Sequence, residues 1–174
     1  MTRIDLTIPF HTRIDVESED RRLEAGVVAV DARSNGPPLH RHVDQDERST
    51  VVRGVLSARI GSRRCALQAG EVIDVPRGTP HTYWNAGDEE CVFRYDLTPG
   101  HRFTAMMRTF EALARDGRLR GTSDPRSIMH MAEVFHLFHD HVEAVSPPGW
   151  VMRAFAGPGR NLGIVRPFPP ADAH

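Results

Sequence analysis

Two short segments of the chain carry four side chains whose types suit a single metal ion. The first reads Gly36-Pro-Pro-Leu-His40-Arg-His42-Val-Asp-Gln-Asp-Glu47, and the second Gly70-Glu-Val-Ile-Asp-Val-Pro76-Arg-Gly78-Thr-Pro-His81-Thr-Tyr-Trp-Asn85. His40 and His42 are two positions apart, so on an extended strand both imidazoles point to the same face. Glu47 and His81 would complete a set of three nitrogens and one oxygen. That set suits one divalent transition metal (Fe, Mn, Ni, Cu, Co or Zn) and does not choose among them. An ion preferring five or six ligands would keep positions open for water, a pair of substrate oxygens or dioxygen. A single buried histidine is ordinarily a hydrogen-bonded core residue. Three of them with a carboxylate at this spacing argue for metal instead.

Strand parity extends the site. Tyr83 shares a face with His81 and is expected to orient a substrate, although a wall residue bonded to backbone reads equally well. Glu47, Ser49, Val51 and Arg53 share another face, and Phe93 and Tyr95 are candidate cavity walls with core packing as the plainer alternative. Arg53 or Arg59 could pair with an anionic substrate, against the more ordinary reading of a solvated strand end. His136, His139 and His141 cluster further on, where cationic side chains near a helix C-terminus are the simple explanation and metal binding has weak support. His11, His101 and His130 have no assigned role, and His174 is terminal.

The elements that must position these side chains fall into two regimes. Up to about residue 98, short strands alternate with Gly, Pro, Asn and Asp turns, which argues for a β-sandwich or barrel. Strands are expected over residues 11–16, 23–32, 39–43, 49–53, 55–60, 63–67, 72–75, 81–84 and 91–97, with Gly61-Ser62 as a two-residue hairpin turn. Pro76 should end a strand because it has no amide proton for a central ladder.

After Pro99-Gly100 the period becomes helical. Phe103, Met106, Met107, Phe110, Leu113 and Ala114 form one apolar stripe, which Gly117 is placed to terminate. Asp124-Pro125 reads as an N-cap followed by a first-turn proline, opening a second stripe of Ile128, Met131, Phe135, Phe138 and Val142. A weaker third helix is expected over residues 150–156, and a Pro-rich arm over 166–174. This methionine- and phenylalanine-rich stretch is expected to pack on the barrel or on a second subunit, with a substrate-sensing lid as the lesser alternative. The expected organisation is therefore a barrel over residues 1–100 with a helical appendage over 101–174.

Composition narrows the function further. The chain has 174 residues, 40% hydrophobic and 26% charged, with a formal net charge of −1. Such a balance gives no electrostatic case for nucleic acid or an anionic membrane as partner. No apolar run approaches a membrane span and the N-terminus lacks a signal-peptide core, so the cytoplasm is the expected location. All 22 basic residues are arginine. Without lysine there is no lysine Schiff base, hence no pyridoxal or lysine-dependent aldolase chemistry, and no P-loop. Cys65 and Cys91 are expected to be packing residues, since neither belongs to a Cys-x-x-Cys pair.

The two metal-suited segments together resemble the paired motifs of the cupin superfamily. In its first motif a His-x-His pair is followed by Glu and then Gly. Four residues separate His42 from Glu47 here, and six separate Glu47 from Gly54. Gly70, Pro76, Gly78, His81 and Asn85 match the second motif at every position. The departure is at the opening of the first, where three residues instead of five lie between Gly36 and His40, with Pro37 and Pro38 in that turn. The resemblance covers roughly residues 23–98 and implies a mainly β, double-stranded β-helix (jelly-roll) barrel. It implies metal ligation by His40, His42, Glu47 and His81, with Glu47 also a possible base. Members often carry an aromatic where Ser49 stands, so a roomier and more polar pocket is expected there, with Ser49, Val51, Tyr83, Phe93 and Tyr95 touching substrate. The fold hosts many reactions. The ligand set resembles that of cupin dioxygenases, which favours an oxidoreductase acting on a small organic molecule. A non-redox isomerase or cyclase, a non-catalytic ligand-binding cupin and a structural dimerisation module are the alternatives. Cupins commonly dimerise, so a homodimer is expected.

Overall fold

The protein is described from a computed structural model covering residues 2–146. The expected third helix over 150–156 and the arm over 166–174 lie outside the described residues.

Eleven strands and three helices are described. They are β1 (Thr2–Leu6), α1 (Thr7–Phe10), β2 (Thr12–Glu19), β3 (Glu24–Val30), β4 (His40–His42), β5 (Asp46–Arg53), β6 (Val55–Ile60), β7 (Arg63–Gln68), β8 (Val72–Val75), β9 (His81–Trp84), β10 (Cys91–Thr98), α2 (Phe103–Arg115), α3 (Pro125–Leu137) and β11 (Val142–Ala144). The strands form two antiparallel sheets, ordered β1-β2-β3-β10-β5-β8 and β11-β4-β9-β6-β7. The mainly β, two-sheet architecture with helices appended is what the alternating pattern and turn spacing lead one to expect, and its double-stranded β-helix form is what the motif resemblance implies. Side chains at every second position of β2, β3 and β10 are buried, so the period-2 alternation fixes which face meets the core.

Turn chemistry sets the strand ends. Gly61 adopts φ +57 in the β6–β7 hairpin, where Ile60 pairs with Arg63. Gly36 is constrained both by its backbone angle and by close approach. It sits at φ +61, and a Cβ there would lie 2.0 Å from the carbonyl oxygen of Tyr83. Asn85, the last residue of the second motif, holds a turn: its amide donates to the carbonyls of Val30 and Glu89, and its oxygen accepts from the amide of Gly87.

The helices are fixed to the sheets by one buried carboxylate. Glu24 on β3, 1% exposed, accepts the amide proton of His101, just ahead of α2, and those of Phe103 and Thr104 in its first turn. The last two are donors that a helix start leaves without intrahelical partners. Gln45 donates to the same carboxylate and to the Pro99 carbonyl. Asp124 caps α3 by accepting from the amide of Ser127, and Pro125 opens the helix, as the sequence suggests. Phe110 of α2 then packs edge-on against Phe10 and Phe135, joining both helices to the core.

Two features depart from the sequence reading. β1 is an additional strand, pairing with β2 over its full length. Val142 does not extend the second helical stripe. The helix ends at Leu137, and Val142 pairs with His42 in the sheet. As a result the segment after residue 100 returns a strand to the barrel and is not purely a helical appendage. Cys65 and Cys91 are free thiols, and burial pushes the Cys91 thiol up to about 11. No helix among the described residues is long and apolar enough to cross a membrane.

Candidate metal centre

β4 and β9 are neighbours, and His40 lies opposite His81 in their pairing. His42 follows on the same face of β4, so both motifs deliver imidazoles to one point. Candidate ligand atoms of His40, His42 and His81 lie within 4.8 Å of one another. Glu47, at the start of β5 in the facing sheet, adjoins two of them. Its Oε2 is 3.2 Å from His42 Nε2 and 3.1 Å from His81 Nε2.

Backbone carbonyls orient two of the rings. Pro38 O lies 2.9 Å from His40 Nδ1, and Thr79 O lies 2.9 Å from His81 Nδ1. A proton on each Nδ1 leaves each Nε2 with a lone pair directed inward, the outer arrangement that metal-binding histidines use. The double proline of the first motif is part of this support, since Thr82 donates to the Pro37 carbonyl while Pro38 holds His40. His42 Nδ1 is buried without a hydrogen-bond partner.

The electrostatics are those of a site built around a positive charge. Burial, then the neighbouring His81 and His42, holds His40 well below the ordinary imidazole range. Burial alone would raise Glu47. The charge of His81 and hydrogen bonds from His42 and His81 outweigh it and keep the carboxyl well below the usual carboxylate range. Burial likewise opposes protonation of His81, but Glu47 overrides it and raises this imidazole. The reason is geometric. With Nδ1–H given to Thr79, His81 turns Nε2 to a carboxylate oxygen, so that nitrogen carries either a proton or a metal ion. Three imidazole nitrogens and an anionic oxygen converging on one point fit a divalent transition ion.

The residues named from sequence take the following places. His40, His42, Glu47 and His81 come together, and Tyr83, Phe93 and Tyr95 join them in lining one cavity. Ser49 and Val51 are not among its lining residues. The pocket is therefore not made more polar by Ser49, whose hydroxyl turns to Glu47 Oε1 and donates to it at 2.9 Å. Val51 is a core residue. Arg53 pairs with Glu90, and Arg59 donates to the Gly61 carbonyl, so neither is committed to substrate. Burial, then the charge of Glu47, pushes the Tyr83 phenol well above its ordinary value, so it stays protonated.

Sequence reasoning did not assign the other half of the cavity wall. Phe103, Met106, Met107 and Phe110 of α2, with Phe135 of α3, line it opposite the imidazoles. Phe103 lies against both His42 and Tyr95, at centroid distances of 5.7 and 5.4 Å. The cavity is about 60 Å³. One ordered water needs about 10–15 Å³, so a small molecule or several waters can be held. It is an apolar chamber with one polar end.

Residues 26–98 match the Cupin domain family. Among curated proteins, the chain is 40% identical over 67 residues to Oxidoreductase iacF of Pestalotiopsis fici, covering 37% of this chain and 33% of that protein. It is 27% identical over 124 residues to Probable oxidoreductase virH of Hypocrea virens, covering 67% of this chain and 54% of the relative. The matches thus span from a third to about half the length of those relatives. Among solved structures, an RmlC-like cupin from Shewanella frigidimarina aligns with a TM-score of 0.49 at 15% identity, covering 57% of this chain and 85% of the other.

Proposed function

The chain belongs to the cupin superfamily, and on that premise we propose that it is a metal-dependent oxidoreductase, dioxygenase-like, acting on a small and largely apolar organic molecule. The observation that carries this reading is the convergence of His40, His42, His81 and Glu47 at the one polar end of an apolar cavity. The oxidoreductase names of two partial relatives support the redox choice. His40, His42, His81 and Glu47 would hold the ion, which when bound supplies Lewis acidity and, if redox-active, electron exchange with dioxygen.

The chain's own residues do the remaining work. Pro38 and Thr79 fix ring orientation, and Ser49 fixes the carboxylate. Phe103, Met106 and Phe110 exclude water and select for apolar substrate. Tyr83 offers a hydroxyl donor that can orient a substrate oxygen.

One observation favours the non-redox isomerase or cyclase as a second reading. Tyr83 is held protonated and Glu47 anionic in the same cavity, and opposite shifts of this kind suit relocation of a proton within a substrate.

Oxygen uptake separates the two. Protein loaded with ferrous or manganous ion is supplied with small hydroxy- and keto-substituted aromatic compounds in an oxygen electrode. The proposal expects uptake that disappears in His42→Ala. Conversion of a compound with no oxygen consumed would overturn the redox reading in favour of the isomerase.

A further inference from the structure

A second group of metal-suited atoms stands apart from the imidazoles of β4 and β9. Asp44 in the β4–β5 turn, His101 ahead of α2 and His141 ahead of β11 bring candidate ligand atoms within 4.8 Å of one another. His101 Nε2 lies 2.8 Å from Asp44 Oδ2, and the rings of His101 and His141 are 4.8 Å apart. His141 Nδ1 faces Asp44 Oδ1 at 3.9 Å. Its other nitrogen, Nε2, lies 3.2 Å from Asp140 Oδ2.

His141 is only 7% exposed, and both Nδ1 of His141 and Oδ1 of Asp44 are buried without a hydrogen-bond partner. A neutral imidazole has one N–H, and the Asp140 carboxylate beside Nε2 favours that nitrogen for it. Nδ1 is then a lone pair aimed at a carboxylate oxygen. At 3.9 Å the two are too far apart for a hydrogen bond. Two buried acceptors confronting each other are costly unless something positive lies between them. Bonds of about 2.0–2.2 Å from one zinc-like ion to nitrogen and oxygen would span that gap.

We propose that Asp44, His101 and His141 form a second site for a divalent transition metal ion of the zinc class, with Asp140 positioning His141. Two imidazoles and one carboxylate make the donor set, and a water can take a fourth position. The site draws together three segments distant in sequence: the turn after β4, the start of α2 and the end of the α3 segment. Its role is to pin the helical wall of the cavity onto the strand that carries His40 and His42. The Val43 amide donates to the His141 carbonyl at 2.8 Å at the same junction. The site is independent of the reaction proposed above.

The test uses the full chain, stripped with chelator and titrated with zinc alone, with bound metal counted by elemental analysis after desalting. His101 is 36% exposed at its side chain, so His101→Ala should fold, and Asp44→Asn is nearly isosteric. Both variants are expected to bind one equivalent less than the wild type, or to bind that equivalent at least tenfold more weakly. His40→Ala should lose a different equivalent, and the double variant His40→Ala/His101→Ala should lose both. Zinc should raise the thermal midpoint of His40→Ala and not that of the double variant. Equal zinc content in wild type, His101→Ala and Asp44→Asn would overturn the site and leave an ion pair between Asp44 and His101. Because the readout is a difference, failure of the first site would not imitate failure of the second.

Discussion

Glu24 Oε1 accepts the amide proton of Thr104 at 2.8 Å, joining the start of β3 to the first turn of α2. Its other oxygen takes the amides of His101 and Phe103. One residue thereby fixes the helix that supplies Phe103, Met106 and Phe110 to the cavity. Glu24→Ala would leave three backbone donors and the Gln45 amide short of an acceptor in a buried place. It is expected to cost about 3 kcal/mol in urea unfolding, with Glu24→Gln costing less. A loss below about 0.5 kcal/mol for the alanine variant would show that α2 is held by apolar packing alone.

Gly36 carries a second stability prediction. Its φ of +61 suits glycine, and the added Cβ of an alanine would meet the Tyr83 carbonyl at 2.0 Å. The Pro37-Pro38 turn must then move, and with it the carbonyl that orients His40. Gly36→Ala should destabilise the fold by at least about 2 kcal/mol and weaken metal binding as well. An unchanged unfolding midpoint would contradict the geometry.

Ser49 was expected to be a pocket residue, and its structural position assigns it the Glu47 carboxylate instead. Removing partners of this type from metal sites commonly costs 10- to 100-fold in affinity, so Ser49→Ala should raise the metal dissociation constant by about tenfold or more. Calorimetric titration of stripped protein measures it directly. Undiminished affinity would mean that Glu47 needs no such support.

His130 of α3 is buried, and burial, then the nearby Arg118, lowers its pKa from the ordinary value of 6.5. The unfolded chain therefore takes up a proton in a range where the folded chain does not. The folded state loses stability as pH falls from 6.5 through the depressed value, and recovers it above 6.5. The difference in unfolding free energy between pH 7.5 and 5.5 should shrink in His130→Leu. An identical difference in wild type and variant would remove His130 as a source of acid sensitivity.

Much of this was legible in the sequence because its signals are local. Alternation along 91–97, the Gly61-Ser62 turn and the Asp124-Pro125 cap each depend on neighbours a few residues away. The convergence of His40, His42 and His81 was also expected, since strand parity and the spacing of both motifs prefigure it. β1 carried the same period-2 signal in Ile4 and Leu6, both buried, but too briefly to stand out. Val142 follows Phe138 at helical spacing, and only its pairing with His42 assigns it to a strand. Ser49 could not be placed from parity, because a hydroxyl turned toward Glu47 and one facing a cavity occupy the same face. The grouping of Asp44, His101 and His141 depends on three distant segments meeting, which no periodicity encodes. The same applies to the helical wall of the cavity. Its apolar stripe was plain, yet nothing local says which surface it covers.

The most direct measurement is the metal content of protein purified without added chelator, compared between His101→Ala and His101→Ala/His42→Ala so that only the imidazole centre is counted. Elemental analysis should find about one transition-metal equivalent in the first and almost none in the second, with both showing cooperative unfolding. Equal metal content in the two proteins would contradict the assignment of His40, His42, Glu47 and His81 as a metal centre.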